Sequence, residues 1–476
     1  MATIAPMASR LLAHCGIDMI PTNHAFVDCE TVLKYFQNTT PSARFPCDTI
    51  ITSGSGIVKI TPTSECRIRP YQGEVIDQVF SNATIRPSLV IMPCGSGKTF
   101  TALCILSRIK RRSLIVTNYK VVANQWKREL LKYFDVTIDK VQCIGDNTFN
   151  FDLHNIPDFT IITYDAFVSL STPCSRSLVA KLLLADFAVV VLDESHKAVS
   201  KRYFCMLARM KSTFLALTAT PVREDSEINM LFQLVRDTIT IPSTLLIEAG
   251  YISDVRCTTV FVPTHPALVD KELTHWERVI ASVLNPNKFA YLQKLLVDMM
   301  FQKDKVIIFC DDVFSLLCTC EKLVATFPVI GPITMKSDIQ FREICISKFV
   351  CDVDGSILMM SRTGDEGLDV PCATKIIQIC TPWGSRRQHA QRIGRVQRKT
   401  ETNSVCEAIT LVSDSTPEYT FSVRRDTYLR FLGYTVSIIH CPQTHEFDFA
   451  NLINTIKARP KNYKSGDKRP NHTSEL

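Results

Sequence analysis

Long apolar runs are the feature this 476-residue sequence most clearly lacks. The longest, Ser88 to Met92 and Phe187 to Leu192, fall far short of the roughly 18 residues a membrane-spanning helix needs. That shortage argues against an integral membrane protein. Residues Met1 to Ile20 hold a single base, Arg10, where an export peptide has a basic head before its apolar stretch, so no export signal is read. Gly and Pro number 16 and 23, too few for a collagen-like or low-complexity polymer. No CxxC pair occurs, the nearest spacing being Cys318 and Cys320, and a structural zinc site is not expected. The 19 cysteines lie scattered through apolar, strand-like surroundings. Disulfide frameworks belong to short secreted chains, so reduced thiols in an intracellular compartment are the expectation. A net charge of +7 permits a polyanionic partner without requiring one.

With 46% hydrophobic and 21% charged residues, the chain can bury a large core, and its length suits two large domains with appendages or about three smaller ones. From about Arg67, short β-branched runs alternate with amphipathic stretches, the pattern of parallel sheets with helical crossovers. Strands are expected at Ser88 to Met92, Ser113 to Thr117, Phe159 to Thr163, Ala188 to Leu192 and Thr213 to Leu217. Helices are expected at Thr99 to Arg108 and Val121 to Tyr133. A second series has strands at Lys305 to Cys310, Ser356 to Met360, Lys375 to Cys380 and Ala408 to Val412. The reading is an α/β protein with two tandem sheet domains, residues 64–240 and 241–440. A short N-terminal region, 1–63, precedes them, and a basic polar tail, 441–476, follows, its last 20 or so residues expected to be disordered. No repeat of fixed period is present.

Three segments carry chemistry. Met92-Pro93-Cys94-Gly95-Ser96-Gly97-Lys98-Thr99 follows an apolar strand and precedes a helix, the context of a phosphate-cradling loop. Gly95, Ser96 and Gly97 would let the backbone aim N–H groups at phosphate oxygens, Lys98 would reach the β- and γ-phosphates of ATP, and Thr99 would place its hydroxyl on Mg²⁺. The strict pattern begins with Gly where this chain has Met92. Val189 to Leu192 runs into Asp193-Glu194-Ser195-His196. Asp193 at a strand's carboxyl end would hold Mg²⁺, and Glu194 would activate the attacking water. Gln391 to Arg398 spaces Arg392, Arg395 and Arg398 at i, i+3 and i+6. Alone, that is a solvated basic helix; beside a separate phosphate-loop domain, the arginines are expected to stabilise phosphoryl transfer.

Together these segments resemble a superfamily 2 helicase, with two RecA-like domains. The resemblance implies adenine recognition by Arg69-Pro70-Tyr71-Gln72, chiefly through Arg69 and Gln72, and nucleic-acid contact by Asn124-Gln125-Trp126-Lys127. It implies that Leu217-Thr218-Ala219-Thr220 couples hydrolysis to strand contacts through His196. Gly364 to Pro371, with Thr363 before it and Asp369 within it, would join the nucleotide to the second domain's grip on the strand. Within the superfamily the chain is similar to the XPB branch: Thr220-Pro221-Val222-Arg223-Glu224-Asp225 carries that branch's RED tripeptide, which would help part the strands. Asn285-Pro286-Asn287-Lys288-Phe289, Gly384 to Gln388 and Lys305 to Phe314 are also similar. The branch's basic thumb is diluted by acids at Asp270 to Arg278, and compact helicases of large DNA viruses share this economy. Cys104, Cys143 and Cys174 are the only cysteines between loop and acid pair, one short of an iron-sulfur cluster's four, so no cluster is expected. Trp126 and Trp276 read as packing residues, whereas Trp383 is open between packing and base stacking.

The expected activity is ATP-driven translocation on single- or double-stranded DNA, of 3′ to 5′ polarity by resemblance, alongside transcription or repair machinery, in the nucleus or at an infected-cell transcription site. RNA as the substrate, transcript release, and a non-catalytic DNA-binding scaffold are the alternatives. The basic tail reads equally as a nuclear address, a nucleic-acid tether or a solvating end.

Overall fold

Strands whose successive residues are all apolar can be satisfied only if both faces of the sheet are covered, and the central strands of the two seven-stranded sheets of this protein are of that kind. The computed structural model describes residues 49–50, 58–81, 84–144, 156–169, 187–210, 212–219, 228–265, 268, 273–362, 370, 372–380, 386–397, 406–442 and 449–457. The chain divides into two units, Met1–Pro242 and Ser243–Leu476. No helix among the described residues is long and apolar enough to cross a membrane.

In the first unit the strands are β1 (Ser88–Ile91), β2 (Ser113–Thr117), β3 (Val141–Ile144), β4 (Phe159–Thr163), β5 (Val189–Leu192), β6 (Thr213–Thr218) and β7 (Asp237–Thr240). They form one sheet in the order β7-β1-β6-β5-β2-β4-β3, every pair parallel. Leu89, Leu114, Val116, Ile162, Val190, Leu192, Phe214 and Ala216 share one core with Phe167, Phe187 and Phe204. Helix α1 (Pro70–Val79) opens with Pro at its first position, where a missing N–H costs nothing. Helix α2 (Lys98–Ile109) follows β1, and α3 (Lys120–Tyr133) follows β2.

The second unit repeats the plan with β8 (Val255–Val262), β9 (Lys305–Cys310), β10 (Val329–Ile333), β11 (Ser356–Met360), β12 (Lys375–Cys380), β13 (Cys406–Ser413) and β14 (Val436–His440). Their order is β10-β11-β9-β12-β13-β8-β14, again all parallel. The period of two is visible in the packing. Val306 and Ile308 join Ile357, Met359 and Ile377 on one face, while Ile307 and Phe309 join Leu358, Met360 and Ile376 on the other. Flanking helices are α4 (His275–Val283), α5 (Pro286–Phe301), α6 (Val313–Val324), α7 (Ile339–Cys351), α8 (Arg386–Val396), α9 (Pro417–Phe431) and α10 (Phe449–Lys457). Helix α10 falls inside the span expected to be a polar tail. Its Ile456 is buried with Leu268, Leu273 and Ile280, and Leu452 packs beside them, so an apolar helical stripe overrides the basic composition around it.

The Asn285-Pro286-Asn287-Lys288 segment binds three strand ends of this sheet. Asn285 Oδ1 caps α5 by accepting from Asn287 N, 3.1 Å, and Asn285 Nδ2 donates to Pro263 O and Ser413 Oγ, 3.0 and 3.1 Å. Asn287 Nδ2 also donates to Pro263 O, 2.9 Å. Strand β12 shifts register against β9 at Phe309/Cys310, and Ile379 O, freed there, accepts from Lys288 Nζ at 3.1 Å. The same ammonium meets Glu418 Oε2 at 2.7 Å, both side chains at 3% exposure or less. A buried pair contributes little net stability, but halving it leaves an uncompensated charge. Lys288→Ala should therefore lower the stability of the second unit by about 3–5 kcal/mol, measured by urea unfolding, whereas a Lys288→Met/Glu418→Leu pair should recover most of the loss.

Candidate active site

Beyond Ile91 the chain turns through Met92 to Gly97 before α2 starts at Lys98. Gly95 and Gly97 have φ of +77° and +82°, left-handed values that disfavour any side chain. A Cβ on Gly97 would also lie 2.8 Å from Gln72 Nε2 and displace that amide from the loop. The turn is held from α1: Ser96 O accepts from Tyr71 Oη, 2.7 Å, and from Gln72 Nε2, 3.1 Å. Gln72 Oε1 accepts from Arg69 N, 3.0 Å, and Arg69 donates from its guanidinium to Tyr71 Oη, 3.3 Å. Gln72 is thus buried and tied to the loop, with one amide proton left for a base. Lys98 Nζ donates to Met92 O and Pro93 O, 3.3 Å each, and Thr99 stands partly exposed in the first helical turn.

Strand β5 delivers the two acids. Asp193 N donates to Val116 O at 2.9 Å, fixing the turn against β2. Asp193 Oδ1 accepts from Glu194 N, 3.0 Å, Oδ2 accepts from Trp126 Nε1, 2.8 Å, and the carbonyl accepts from Tyr164 Oη, 3.2 Å. Glu194 has φ +47° and ψ +55°, a conformation costing about 1–3 kcal/mol; it turns the side chain so that Oε2 lies 3.2 Å from His196 Nδ1. Burial and then the neighbouring Glu194 push the Asp193 carboxyl up to about 6, against the opposing pull of the Trp126 N–H and Lys98. Thr218 ends β6, and its carbonyl accepts from Met92 N, 3.1 Å.

Because the sheet is wholly parallel, the loop after β1, Thr218 at the end of β6, Asp193-Glu194 after β5 and the α3 segment after β2 emerge at the carboxyl ends of four adjacent strands. Open α/β sheets bind ligands at that edge. The residues fit a magnesium-nucleotide: a Cβ at Gly97 would displace Gln72 from the loop, and a buried carboxylate beside a second acid is the donor a hard cation relieves.

In the second unit, α8 carries Arg392 and Arg395. Arg392, expected at the nucleotide, is instead 1% exposed and engaged inside its own unit. It pairs with Asp311, donates to Gln378 Oε1 at 3.2 Å and stacks on Phe309, 4.6 Å to the ring centroid. Residues three apart on a helix differ by about 60° in direction, so Arg395 occupies another face and is partly exposed. Gln378 Nε2 donates to His389 Nδ1, 2.7 Å. Burial, then Arg425 and Arg392, hold the His389 pKa well below its usual value, so the ring is neutral and free to accept. Thr220, Arg223, Glu224, Asp225, Thr363, Asp369 and Arg398 lie outside the described residues. Sequence reasoning named Tyr71 and Trp126 within their segments but did not give them their bonds to Ser96 O and Asp193 Oδ2. A Trp buried on an otherwise polar helix must find an acceptor for its N–H, and that signal was available.

A fold of two such units, with a phosphate loop and an acid pair at one sheet edge, defines the superfamily 2 helicase class. Solved structures share it. The chain is similar to the helicase domain of Pyrococcus furiosus Hef, with a TM-score of 0.52 and 14% identity over 75% of this chain and 97% of that one. It is also similar to the DNA-bound type ISP restriction-modification enzyme LlaBIII, with a TM-score of 0.57 and 15% identity over 83% of this chain and 33% of that one. Residues 65–223 match the family of the type III restriction enzyme res subunit, and residues 246–461 match the ERCC3/RAD25/XPB C-terminal helicase. These matches support an XPB-like superfamily 2 helicase. Relatives include the general transcription and DNA repair factor IIH helicase/translocase subunit XPB of Dictyostelium discoideum, 29% identical over 80% of this chain and 48% of that protein. The Encephalitozoon cuniculi subunit is 30% identical over 80% and 57%. The chain spans about half the length of these curated relatives.

Two outcomes follow from this geometry. Gly97→Ala should abolish nucleotide binding, read with a fluorescent ADP, because the new Cβ meets both a left-handed φ and Gln72. Were Asp193 to hold Mg²⁺, a proton would compete with the cation for it, since burial and Glu194 push the carboxyl up to about 6. Binding of Mg²⁺-ADP at low Mg²⁺ should therefore weaken as the solution is acidified through that pH, and the midpoint should move lower as Mg²⁺ is raised. A midpoint indifferent to Mg²⁺ would place the titration elsewhere.

Proposed function

We propose that this protein is an ATP-driven DNA translocase acting alongside transcription or repair machinery. The observation that carries the reading is the convergence of the phosphate loop, Thr218, the Asp193-Glu194 pair and α3 at the carboxyl ends of four adjacent strands. Lys98, now on the Met92 and Pro93 carbonyls, exchanges them for phosphate oxygens when ATP enters. Asp193 and Thr99 would hold Mg²⁺, which would supply positive charge against the phosphates. Glu194 takes the proton of the attacking water, and His196, at 3.2 Å, accommodates the change in charge as the carboxylate protonates. Arg395 and Arg398 of the second unit stabilise the transferring phosphoryl group, a contribution of about 10³- to 10⁵-fold in rate. Arg392 anchors the helix that carries Arg395.

Action on DNA is extended to this chain from relatives named as helicase/translocase subunits of a transcription and DNA repair factor. Separating a base-pair step costs about 1.4 kcal/mol, so a motor needs only modest differential affinity per cycle.

The test is ATP hydrolysis by the purified chain alone, with single-stranded DNA, with duplex DNA and with RNA. DNA should stimulate it. Lys98→Ala and Arg395→Ala should remove the stimulated rate, and Glu194→Gln should lower it by about 10²- to 10⁴-fold while retaining nucleotide binding. Stimulation by RNA alone would change the substrate, and full function with Lys98→Ala would mark the protein as a scaffold.

A further inference from the structure

Helix α3 joins the acid pair at two points. Trp126 is wholly buried, and its indole N–H, which needs an acceptor inside the protein, finds Asp193 Oδ2 at 2.8 Å. At the helix start, Tyr119 receives Lys197, whose Nζ lies 3.0 Å from the phenol oxygen and 4.2 Å from the ring centroid. Lys197 closes the short turn that begins just after Glu194. The opposite side of α3 is different in kind: Lys120, Asn124 and Arg128, four residues apart, are all exposed and lie one above another on one face. A cationic, hydrogen-bonding stripe of that spacing suits a phosphodiester backbone. One rigid helix therefore presents a nucleic-acid face on one side and grips a metal-holding carboxylate on the other.

We propose that Trp126 is a positioning residue through which nucleic acid on the Lys120-Asn124-Arg128 face sets the orientation of the Asp193 carboxylate, and with it the affinity for the divalent cation that accompanies the nucleotide. This rests on the ATP-driven DNA reading and names the residue that carries its coupling. Each Asp193 oxygen accepts one hydrogen bond from the protein, Oδ1 from Glu194 N and Oδ2 from Trp126, so the carboxylate plane is set by α3 and by its own strand end together. A small displacement of α3 lengthens only the Trp126 bond and lets the plane rotate. By linkage, a cation-nucleotide complex held more tightly in the presence of DNA must tighten DNA binding by the same factor.

The experiment has two arms. In the first, Trp276→Phe/Trp383→Phe leaves Trp126 the only one of the chain's three tryptophans, so no change is made at the helix itself. Titrating Mg²⁺ in the presence of ADP should shift Trp126 emission saturably, because the charge beside its N–H changes. A single-stranded oligodeoxynucleotide should lower the half-saturating Mg²⁺ by about fivefold or more. In the second arm, Trp126→Phe keeps the ring and deletes the donor. Its half-saturating Mg²⁺ for binding a fluorescent ADP should rise about tenfold and lose its response to DNA, while DNA affinity without nucleotide stays at the wild-type value. Emission indifferent to Mg²⁺, or a Trp126→Phe chain with wild-type Mg²⁺ and DNA responses, would overturn the inference. Those failures, in a wild-type chain that still binds Mg²⁺-ADP and hydrolyses ATP, leave the motor reading standing. A wild-type chain that does neither overturns both.

Discussion

A carboxylate at the end of a strand that is buried on both faces has no water to solvate it, and the first unit is organised around that constraint. Val189 to Leu192 is wholly enclosed, so Asp193 must draw its donors from the protein. It takes one from its own neighbour Glu194 and one from the α3 indole, while β2 fixes its N–H. Even so, its carboxyl is pushed up to about 6 by burial and by Glu194. The carboxylate is under-neutralised by its protein partners alone, the electrostatic setting that a divalent cation would relieve. The strained backbone of Glu194 belongs to the same constraint: the turn that brings a second acid to the sheet edge has to leave the extended conformation within one residue.

The second unit buries charge for a different purpose. Lys288 with Glu418 and Arg392 with Asp311 are complete pairs, each with further hydrogen bonds that satisfy the remaining donors. Lys288 closes the carbonyl left by the β12 register shift, and Gln378, also on β12, serves Arg392 and the neutral His389 at once. Both pairs therefore converge on one strand, β12. Apolar side chains would hold these elements as firmly but with less selectivity of register, because an apolar contact tolerates slippage that a paired charge does not.

How much of this was legible follows from which residues speak without context. The central strands β1, β2, β4, β5, β9, β11 and β12 read directly as apolar β-branched runs, and the expected bounds agree with the observed ones to within a residue. The edges did not. Strand β7 reads Asp-Thr-Ile-Thr, with one buried residue, and β10 contains Gly331-Pro332; each is a strand because a neighbour supplies its hydrogen bonds, which a local pattern cannot show. In the site, Gly97, Lys98, Asp193 and Glu194 were readable because spacing and residue type alone set their chemistry. Trp126 was readable only as buried, since its acceptor lies 67 residues away in sequence.

Arg392 and Arg395 show how the same helix separates structural from chemical duty. At about 100° per residue, a spacing of three cannot keep two long side chains on one line. The arginine whose direction falls toward the sheet meets Asp311, Gln378 and the Phe309 face, where desolvation makes its charge costly unless every donor is engaged. Once engaged, it fixes the rotation of α8 about its own axis, because a planar guanidinium bound on three sides resists turning. The orientation of Arg395 is then set by its neighbour one turn earlier. A side chain that has to be placed within a fraction of an ångström depends on such support, and the role proposed for Arg395 rests on the buried Arg392 in that way.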